Sequence, residues 1–357
     1  MNDLKQKLDS GINKGISFLS ENQFENGQFR GYISNNDDML VYEGSPAGWV
    51  EEEGLVFLST LIGISLEFLM QYPGVEEILN KITHFLLSQR KAGSAWNHYT
   101  PDHVLYKLCS FDVDDTAYAS VFLKARGVDF PSNVDLLRKN INRKKLYYTW
   151  FTFGTQFSFN LEYWRLVLRE LKRPIKSFLL WKKSPCNRDD VDAVVNANVL
   201  YYLPDAANAQ VVIDYLLDII KNEKEAHCDK WYGNVFTVYF SISRNYYAGI
   251  TKLEPARQAI IDRILKKVDQ SGRIGDSVLD TALAICTLLN FNYDNKSTLA
   301  PAIQYILDQQ AENGSWARRA YYFDNYDHLK MVCWGGEELT TGFCLEALAR
   351  YKKDNLN

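Results

Sequence analysis

The chain has 357 residues, of which 46% are hydrophobic and 24% are charged, and its net charge is -4. This composition excludes intrinsic disorder, because it supplies enough apolar residues for a large core. The charges are mixed and contain no long basic run, so the electrostatic character of a nucleic-acid-binding protein is missing.

The N-terminal segment, MNDLKQKLDSGINKG, is charged and lacks the apolar core of a secretory signal. The most apolar stretch, Leu55 to Met70, contains Glu67 and is too short for a membrane span. Six cysteines are scattered without a CxxC pair, a pattern that favours buried thiols over disulfides. We therefore predict a soluble, cytoplasmic protein that binds no nucleic acid.

A sequence phrase recurs along the chain: an apolar helix, a glutamine- and glycine-containing turn with an aromatic residue, and a second helix that begins with acids. The first helix of each unit ends at a glycine that can adopt the left-handed conformation typical of helix ends. These glycines are Gly27, Gly93, Gly272 and Gly314. The glutamines that we expect to tie one helix end to its neighbour are Gln23, Gln89 and Gln310.

The second helices are nearly apolar on all sides, which is typical of helices inside a protein. They begin with acids that can cap a helix, near Trp49, Asp112, Asp189, Asp276 and Glu337. Two weaker units, Tyr148 to Leu171 and Trp231 to Asn245, fill the gaps. Six or seven such hairpins predict an all-α protein with a single domain over residues 1–357. We expect an (α/α)6-type double-ring toroid, with parallel inner helices inside an outer ring.

Parallel inner helices would gather their acidic N-termini at one mouth. The acids concerned are Glu51 to Glu53, Asp112 to Asp115, Asp189 to Asp192, Asp276, Asp280, Glu337 and Glu338. Below the mouth we expect an apolar lumen, which is the usual form of a small-molecule site. Its predicted lining includes Tyr118, Asn196 and Phe236. Three tryptophans near inner helix starts either cover this cavity or only pack there: Trp49, Trp231 and Trp334.

The segment FDVDDTAYAS, residues 111–120, places Asp112, Asp114 and Asp115 within four residues. Neighbouring carboxylates disfavour each other's ionisation, so that at least one of them keeps its proton. A protonated carboxyl group can act as a proton donor. The alternative is that the cluster only caps the start of a buried helix.

Metal binding has weaker support. The run RDDVDAVVN, residues 188–196, offers carboxylates that could hold Mg²⁺, but capping explains them as well. The adjacent residues His227, Cys228 and Asp229 rarely converge on one ion at that spacing. We predict no metal site, and we place the remaining candidate bases on the surface or in loops: His98, His103 and His328.

The phrase DVDDTA, residues 112–117, resembles the DxDD motif of class II terpene cyclases, which include the squalene-hopene cyclases. The turns resemble the QW repeats of the same superfamily. Two of them match closely: KGISFLSENQFENGQF at residues 14–29 and PAIQYILDQQAENGSW at residues 301–316. These repeats span nearly the whole chain.

This resemblance implies that the protein protonates a prenyl chain and cyclises it through a carbocation, as a lyase or isomerase. It implies that Asp114 donates the proton while Asp112 and Asp115 hold it by hydrogen bonds. The protonation needs no cofactor, although a diphosphate substrate would bring Mg²⁺ with it. Aromatic faces would stabilise the carbocation. The substrate would be a small isoprenoid, which leaves peripheral membrane contact open.

The chain departs from the family in one respect: class II cyclases generally enclose their substrate between two helical domains, and this chain has room for one. A homodimer, a small substrate or altered chemistry would each account for the missing wall. Two other functions remain open. Carbohydrate-active hydrolases or lyases share the α/α toroid and use paired carboxylates, and the protein could instead be a non-catalytic terpenoid-binding or scaffold protein.

Overall fold

The structure is a computed structural model that describes residues 2–151, 159–171, 187–326 and 330–356. His328, Cys186 and part of the predicted unit Tyr148 to Leu171 lie outside these residues. The described helices, in chain order, are α1 (Asn2–Asn22), α2 (Val56–Leu66), α3 (Val75–Gln89), α4 (Val113–Ala125), α5 (Val134–Lys139), α6 (Leu161–Leu171), α7 (Ala193–Tyr202), α8 (Ala209–Lys221), α9 (Val235–Tyr247), α10 (Glu254–Leu265), α11 (Val278–Asn290), α12 (Lys296–Asp308) and α13 (Glu337–Leu356).

Alternate helices form a closed inner ring. Each of α2, α4, α7, α9, α11 and α13 packs against the next, and α13 returns to pack against α2. Outer helices such as α3, α8 and α12 each pack against the inner helix that adjoins them in sequence. This arrangement confirms the predicted double ring of helices.

The sequence explains which helices lie inside. All 11 residues of α2 and all 13 residues of α11 are buried, since these helices contact protein on every side. The outer helix α3 instead buries one face, on which Ile78, Leu79 and Ile82 lie. The apolar inner helices therefore make up most of the core, and the amphipathic outer helices cover it.

The turn after α1 shows how the repeat works. Gly27 has a φ of +93°, and a Cβ atom there would lie 2.0 Å from the carbonyl oxygen of Lys81, so only glycine fits. Gln23 donates from Nε2 to the carbonyl oxygens of Gly27 at 3.0 Å and Ile78 at 3.1 Å. The glutamine thus joins the end of α1 to α3.

The equivalent glutamine after α12 acts in the same way. Gln310 donates from Nε2 to the carbonyl oxygens of Gly11 at 2.8 Å and Gly314 at 2.9 Å. This bond links the last outer helix to the first and closes the outer ring. Gln89 differs from the other two, because its amide donates to the hydroxyl of the adjacent Ser88.

A small sheet lies across the N-terminal end of the inner helices, which the sequence did not indicate. Its strands are β1 (Gly31–Ser34), β2 (Val50–Glu52), β3 (Ala320–Tyr326) and β4 (Lys330–Gly335), in the antiparallel order β2-β1-β4-β3. The backbone N–H of Phe323 donates to the carbonyl oxygen of Trp231, before α9, at 2.7 Å. We call these four strands the roof sheet. The helix predicted from Trp49 consequently begins only at Val56.

Charged side chains occupy the opposite end of the ring. Arg244 of α9 donates to both carboxylate oxygens of Glu346 of α13 at 2.7 Å. Arg350 donates to the same carboxylate at 3.0 Å and to Asn290 of α11 at 2.7 Å. We call these four residues the floor network. Arg244 follows the first residue of α9 by nine positions, so the network lies about 14 Å below the helix starts.

The floor network leads to a stability prediction. Replacing Glu346 by glutamine leaves two buried guanidinium groups without their counter-ion, and we expect the free energy of unfolding to fall by about 3 to 5 kcal/mol. Guanidinium chloride unfolding followed by circular dichroism measures this change. As a control, Glu77→Gln removes the partner of Lys81 in an exposed pair on α3 and should cost less than about 1 kcal/mol. Equal effects of the two substitutions would contradict a special role for the floor network.

Two further features of the described residues concern membrane spans and cysteines. No described helix combines the length and apolar character that a bilayer crossing requires. The described cysteines are free thiols: Cys109, Cys228, Cys286, Cys333 and Cys344.

Candidate active site

Helix α4 begins at the acid triplet, and Asp112 is its N-cap. One oxygen of Asp112, Oδ1, accepts hydrogen bonds from the backbone N–H of Asp114 at 2.7 Å and of Asp115 at 3.3 Å. These bonds satisfy amides that have no partner within the helix. The capping role considered for the cluster therefore belongs to Asp112.

The carboxyl group of Asp114 is bound by residues from two other parts of the chain. Its Oδ1 accepts a hydrogen bond from Nδ2 of Asn198 on α7 at 2.6 Å, and its Oδ2 accepts one from the hydroxyl of Tyr232. The resemblance to class II terpene cyclases implies that Asp112 and Asp115 make these bonds. They do not, because side chains one or two positions apart on a helix do not face each other.

Asp229 holds Tyr232 in place. The backbone N–H groups of Trp231 and Tyr232 both donate to Oδ1 of Asp229, at 3.0 Å and 2.9 Å. The other oxygen of Asp229 accepts from the backbone N–H of Val194 at the start of α7 at 2.8 Å. The loop that carries Tyr232 is thereby fixed to the helix that carries Asn198.

The third acid contacts a histidine. Nδ1 of His98 lies 3.3 Å from Oδ2 of Asp115, and Nε2 of His98 lies 3.1 Å from the hydroxyl of Tyr322 on the roof sheet. His98 lies in a loop, which is one of the two predicted settings, but its side chain is only 13% exposed and therefore does not lie on the surface. Oδ1 of Asp115 is buried and has no hydrogen-bond partner among the described residues.

Burial controls the protonation of the three acids. It raises the pKa of Asp114 to about 7, although the hydrogen bonds from Tyr232 and Asn198 act in the opposite direction. Burial also raises the pKa of Asp115 and raises that of Asp112 well above its usual range, with the neighbouring acids adding to the shift on Asp112. Burial lowers the pKa of His98, so its imidazole is neutral at pH 7. The cluster therefore retains protons at neutral pH, and Asp114 has hydrogen-bond donors in place for its conjugate base.

Buried aromatic rings surround this cluster. Phe57 of α2 lies 5.9 Å from Tyr118, 6.4 Å from Tyr232 and 6.2 Å from Tyr322, between ring centroids. Trp334 stacks on Tyr322 at 5.4 Å, and Tyr321 meets Tyr232 at 5.8 Å. We call these six residues the aromatic layer. The faces of aromatic rings attract a cation but do not add to it, whereas water would.

The structure brings only some of the predicted pocket residues to the acids. Tyr118 and Trp334 belong to the aromatic layer. Trp231 adjoins Tyr232 in sequence, while its own ring packs on Trp150 at 5.5 Å. Trp49 directly precedes strand β2 of the roof sheet, and the guanidinium of Arg318 stacks on its ring at 3.9 Å.

Phe236 lines a different space. It contributes to a cavity of about 360 Å³ near the starts of α9 and α11, together with Asp276 and Asp280. Asp280 accepts a hydrogen bond from Nδ2 of Asn234 at 2.6 Å and another from the backbone N–H of Asp276 at 2.9 Å. These mouth acids thus bind partners in their own vicinity and do not join the triplet.

Asn196 is a structural residue, which corrects its predicted place in the lumen. Its Nδ2 donates to the carbonyl oxygens of Tyr147 at 3.0 Å and Asp192 at 2.9 Å, and its Oδ1 accepts from the backbone N–H of Tyr147 at 2.9 Å. Asn198 reaches the acids instead. Two residues along a helix correspond to a rotation of about 200°, so the two side chains point to nearly opposite sides.

The acids before α7 also bind within the protein. Asp190 pairs with Nζ of Lys230 at 3.1 Å. Asp192 accepts hydrogen bonds from the hydroxyl of Thr149 at 2.5 Å and the backbone N–H of Lys230 at 2.7 Å. Across the described ranges, no three or more His, Cys, Asp or Glu side chains are grouped so as to hold a metal ion.

Solved structures of type II terpene cyclases have the same helical double-ring fold. No protein-family model and no curated protein matches the sequence. Among solved structures, the chain is similar to the type II terpene cyclase MstE from Scytonema in its apo form, with a TM-score of 0.68 and 18% identity over 98% of this chain and 99% of that one.

Two further structures support this likeness. An MstE variant in complex with geranylgeranyl dihydroxybenzoate, its substrate, has a TM-score of 0.69 and 17% identity over 98% of this chain and 99% of that one. The ent-copalyl diphosphate synthase from Streptomyces platensis has a TM-score of 0.54 and 14% identity over 88% of this chain and 53% of that one. These likenesses show a shared fold.

Proposed function

We propose that the protein is a class II-type terpene cyclase that protonates a prenyl chain, either a prenyl diphosphate or a related polyprene, from Asp114. One toroid domain over residues 1–357 would carry the whole site. The observation that carries the proposal is the setting of Asp114: a buried carboxyl group with a pKa of about 7, bound by Asn198 and Tyr232 and surrounded by the aromatic layer. The substrate complex of MstE, a protein of the same fold, supports an isoprenoid substrate.

The reaction would begin when the Asp114 proton forms a C–H bond with one alkene carbon, leaving a cation on the other carbon. The next double bond attacks this cation and closes a ring. The last cation then loses a proton, so the overall change is an isomerisation that needs no cofactor. Tyr232 and Asn198 stabilise the carboxylate that remains on Asp114, because their hydrogen bonds strengthen as its negative charge develops. Mg²⁺ would be required only if the substrate carried a diphosphate.

The roof sheet would supply the wall that two-domain cyclases build from their second domain. Tyr321, Tyr322 and Trp334 of this sheet are buried, and the rings of Tyr321 and Tyr322 contact Phe343 of α13 and Phe57 of α2. Their rings would exclude water from the carbocation and stabilise its charge. This arrangement would enclose the substrate without a dimer.

His98 would return a proton to the acid triplet at Asp115 after each turnover, since it connects Asp115 to Tyr322 of the roof sheet. We expect His98→Gln to form one equivalent of product at a normal rate and then to slow in steady state by on the order of 10²-fold. Rapid-quench measurement of the first turnover against the steady-state rate tests this. His84→Gln, on the exposed face of α3, is the control. An equal loss in the first turnover would contradict a role confined to proton return.

Product analysis is the direct test of the proposed function. Purified protein is incubated with farnesyl, geranylgeranyl and squalene-type substrates, with and without Mg²⁺, and the extracts are analysed by mass spectrometry. We expect a cyclised product with the same mass as its prenyl substrate. The absence of product from every substrate would contradict the proposal and favour a toroid hydrolase or lyase, or a non-catalytic terpenoid-binding or scaffold protein.

A further inference from the structure

Strand β3 contains a bulge that changes the direction of Tyr321. Ala320 pairs with Gly335 and Tyr322 pairs with Trp334, so Tyr321 has no partner on β4. In a regular strand, consecutive side chains point to opposite faces. The extra residue breaks this alternation, and both tyrosines are buried against the inner helices. A Cβ atom at Gly335 would lie 1.8 Å from the carbonyl oxygen of Arg319, so a residue without a side chain is needed opposite the bulge.

The bulge directs Tyr321 towards the centre of the ring. Its side chain stacks on Phe343 of α13 at 5.3 Å and contacts Tyr232, the partner of Asp114, at 5.8 Å. Burial raises the pKa of Tyr321 well above its ordinary value, and the charges of Asp114 and Arg244 both act on its hydroxyl. The ring therefore lies between the acid triplet and the floor network.

The depth of the inner ring below the acid triplet is limited. The floor network lies about 14 Å below the starts of the inner helices, and its charged groups are bound to one another across α9, α11 and α13. A prenyl chain protonated at Asp114 must fold within this depth. The bulge places the large side chain of Tyr321 between the starts of the inner helices and the floor network.

We propose that Tyr321 determines how long a prenyl chain the site accepts and how many rings it closes, which rests on the proposed function. A smaller side chain would leave room towards Phe343 and Phe240, whose rings are 5.4 Å apart. That space is apolar and would accept additional hydrocarbon. A larger side chain would bring the wall closer to Asp114 and shorten the space. The volume of the Tyr321 ring, rather than its hydroxyl group, determines the accepted chain length and the number of rings formed.

The test compares Tyr321→Leu, Tyr321→Trp and Tyr321→Phe with the natural chain. The readouts are the ratio of kcat/KM for geranylgeranyl over farnesyl substrates and the number of rings in each product. We expect the leucine variant to raise the ratio about tenfold or more and the tryptophan variant to lower it similarly, because one misfitting methylene costs about 10-fold to 200-fold. The phenylalanine variant should leave the ratio unchanged. Tyr305→Leu on the outer helix α12 serves as the control.

The outcomes separate this inference from the proposed function. If the natural chain cyclises a prenyl substrate and the folded leucine and tryptophan variants keep its ratio and its products, the inference is wrong and the proposed function stands. A phenylalanine variant that behaves like the leucine variant would also overturn it, because the ring volume would not be the cause. If the natural chain converts no prenyl substrate, both fail together. If the leucine variant does not fold, the tryptophan variant alone tests the inference, because it should lower the ratio of kcat/KM for geranylgeranyl over farnesyl substrates.

Discussion

Replacing Asp114 by asparagine should abolish cyclisation and leave the fold intact. Asparagine has nearly the same shape as aspartic acid, but it cannot protonate an alkene. We expect the rate to fall by at least about 10³-fold, which lies within the range attributed to general acid catalysis. Product formation from the best prenyl substrate measures the loss, and circular dichroism with thermal unfolding measures the fold. Retained activity in a folded Asp114→Asn variant would exclude Asp114 as the proton donor.

A matched control is available at another inner helix start. Asp280 of α11 is also buried, and burial raises its pKa as well. Its hydrogen-bond partners include Asn234 and the backbone of Asp276, outside the triplet. Asp280→Asn should therefore reduce activity far less than Asp114→Asn. Similar losses in the two variants would indicate a general effect of removing a buried carboxyl group.

The pH dependence provides a second measurement on the same residue. Cyclisation needs protonated Asp114, whose pKa is about 7, so the rate should fall about tenfold for each pH unit above 7. The folded-state pKa is raised, so the stability that Asp114 contributes is complete below pH 4 and is lost as the pH rises towards 7. Over that interval the free energy of unfolding of Asp114→Asn should therefore improve relative to the natural chain. An unchanged difference would contradict the raised pKa.

The double ring was predictable because its signals are local. An unbroken apolar run such as that of α2 indicates an inner helix without reference to the rest of the chain. Gln23 and Gly27, four positions apart, likewise indicate a turn. The roof sheet was not predictable, because β1 pairs with a strand about 300 residues away, as in the pair of Ile33 with Trp334. Strands of three to seven residues also carry too weak a pattern to be distinguished from loops.

The candidate site likewise has a part that the sequence predicts and a part that it does not. The acid triplet is contiguous, so the sequence shows it together with its helix. The partners of Asp114 come from positions 84 and 118 residues away, at Asn198 and Tyr232, and no local pattern marks them. His98 precedes the triplet in a loop without periodicity. The chain also buries other tyrosines and asparagines, such as Tyr118 and Asn196, so only the tertiary structure identifies the two that bind the acid.

Tyr232→Phe is expected to slow cyclisation by on the order of 10²-fold, the cost of removing one donor from a developing oxyanion. The hydrogen bond from Tyr232 lowers the pKa of Asp114, so its loss should raise that pKa above 7. Asp114 then becomes a weaker acid, but it stays protonated to higher pH. The variant should therefore be slower below pH 7, where Asp114 is protonated in both proteins, and the decline in its rate should begin at a higher pH than in the natural chain.

This combination separates an electrostatic role from a structural one, because a loss of packing lowers the rate without moving the pH at which it declines. The measurement is a pH–rate profile of kcat/KM for the natural chain and the variant. Tyr202→Phe is the matched control: Tyr202 is a buried tyrosine of α7 whose hydroxyl donates to Asn133 at 2.9 Å, outside the triplet. A decline that stays at the same pH in Tyr232→Phe, or that moves to lower pH, would contradict the assignment of Tyr232 as the donor that stabilises the conjugate base of Asp114.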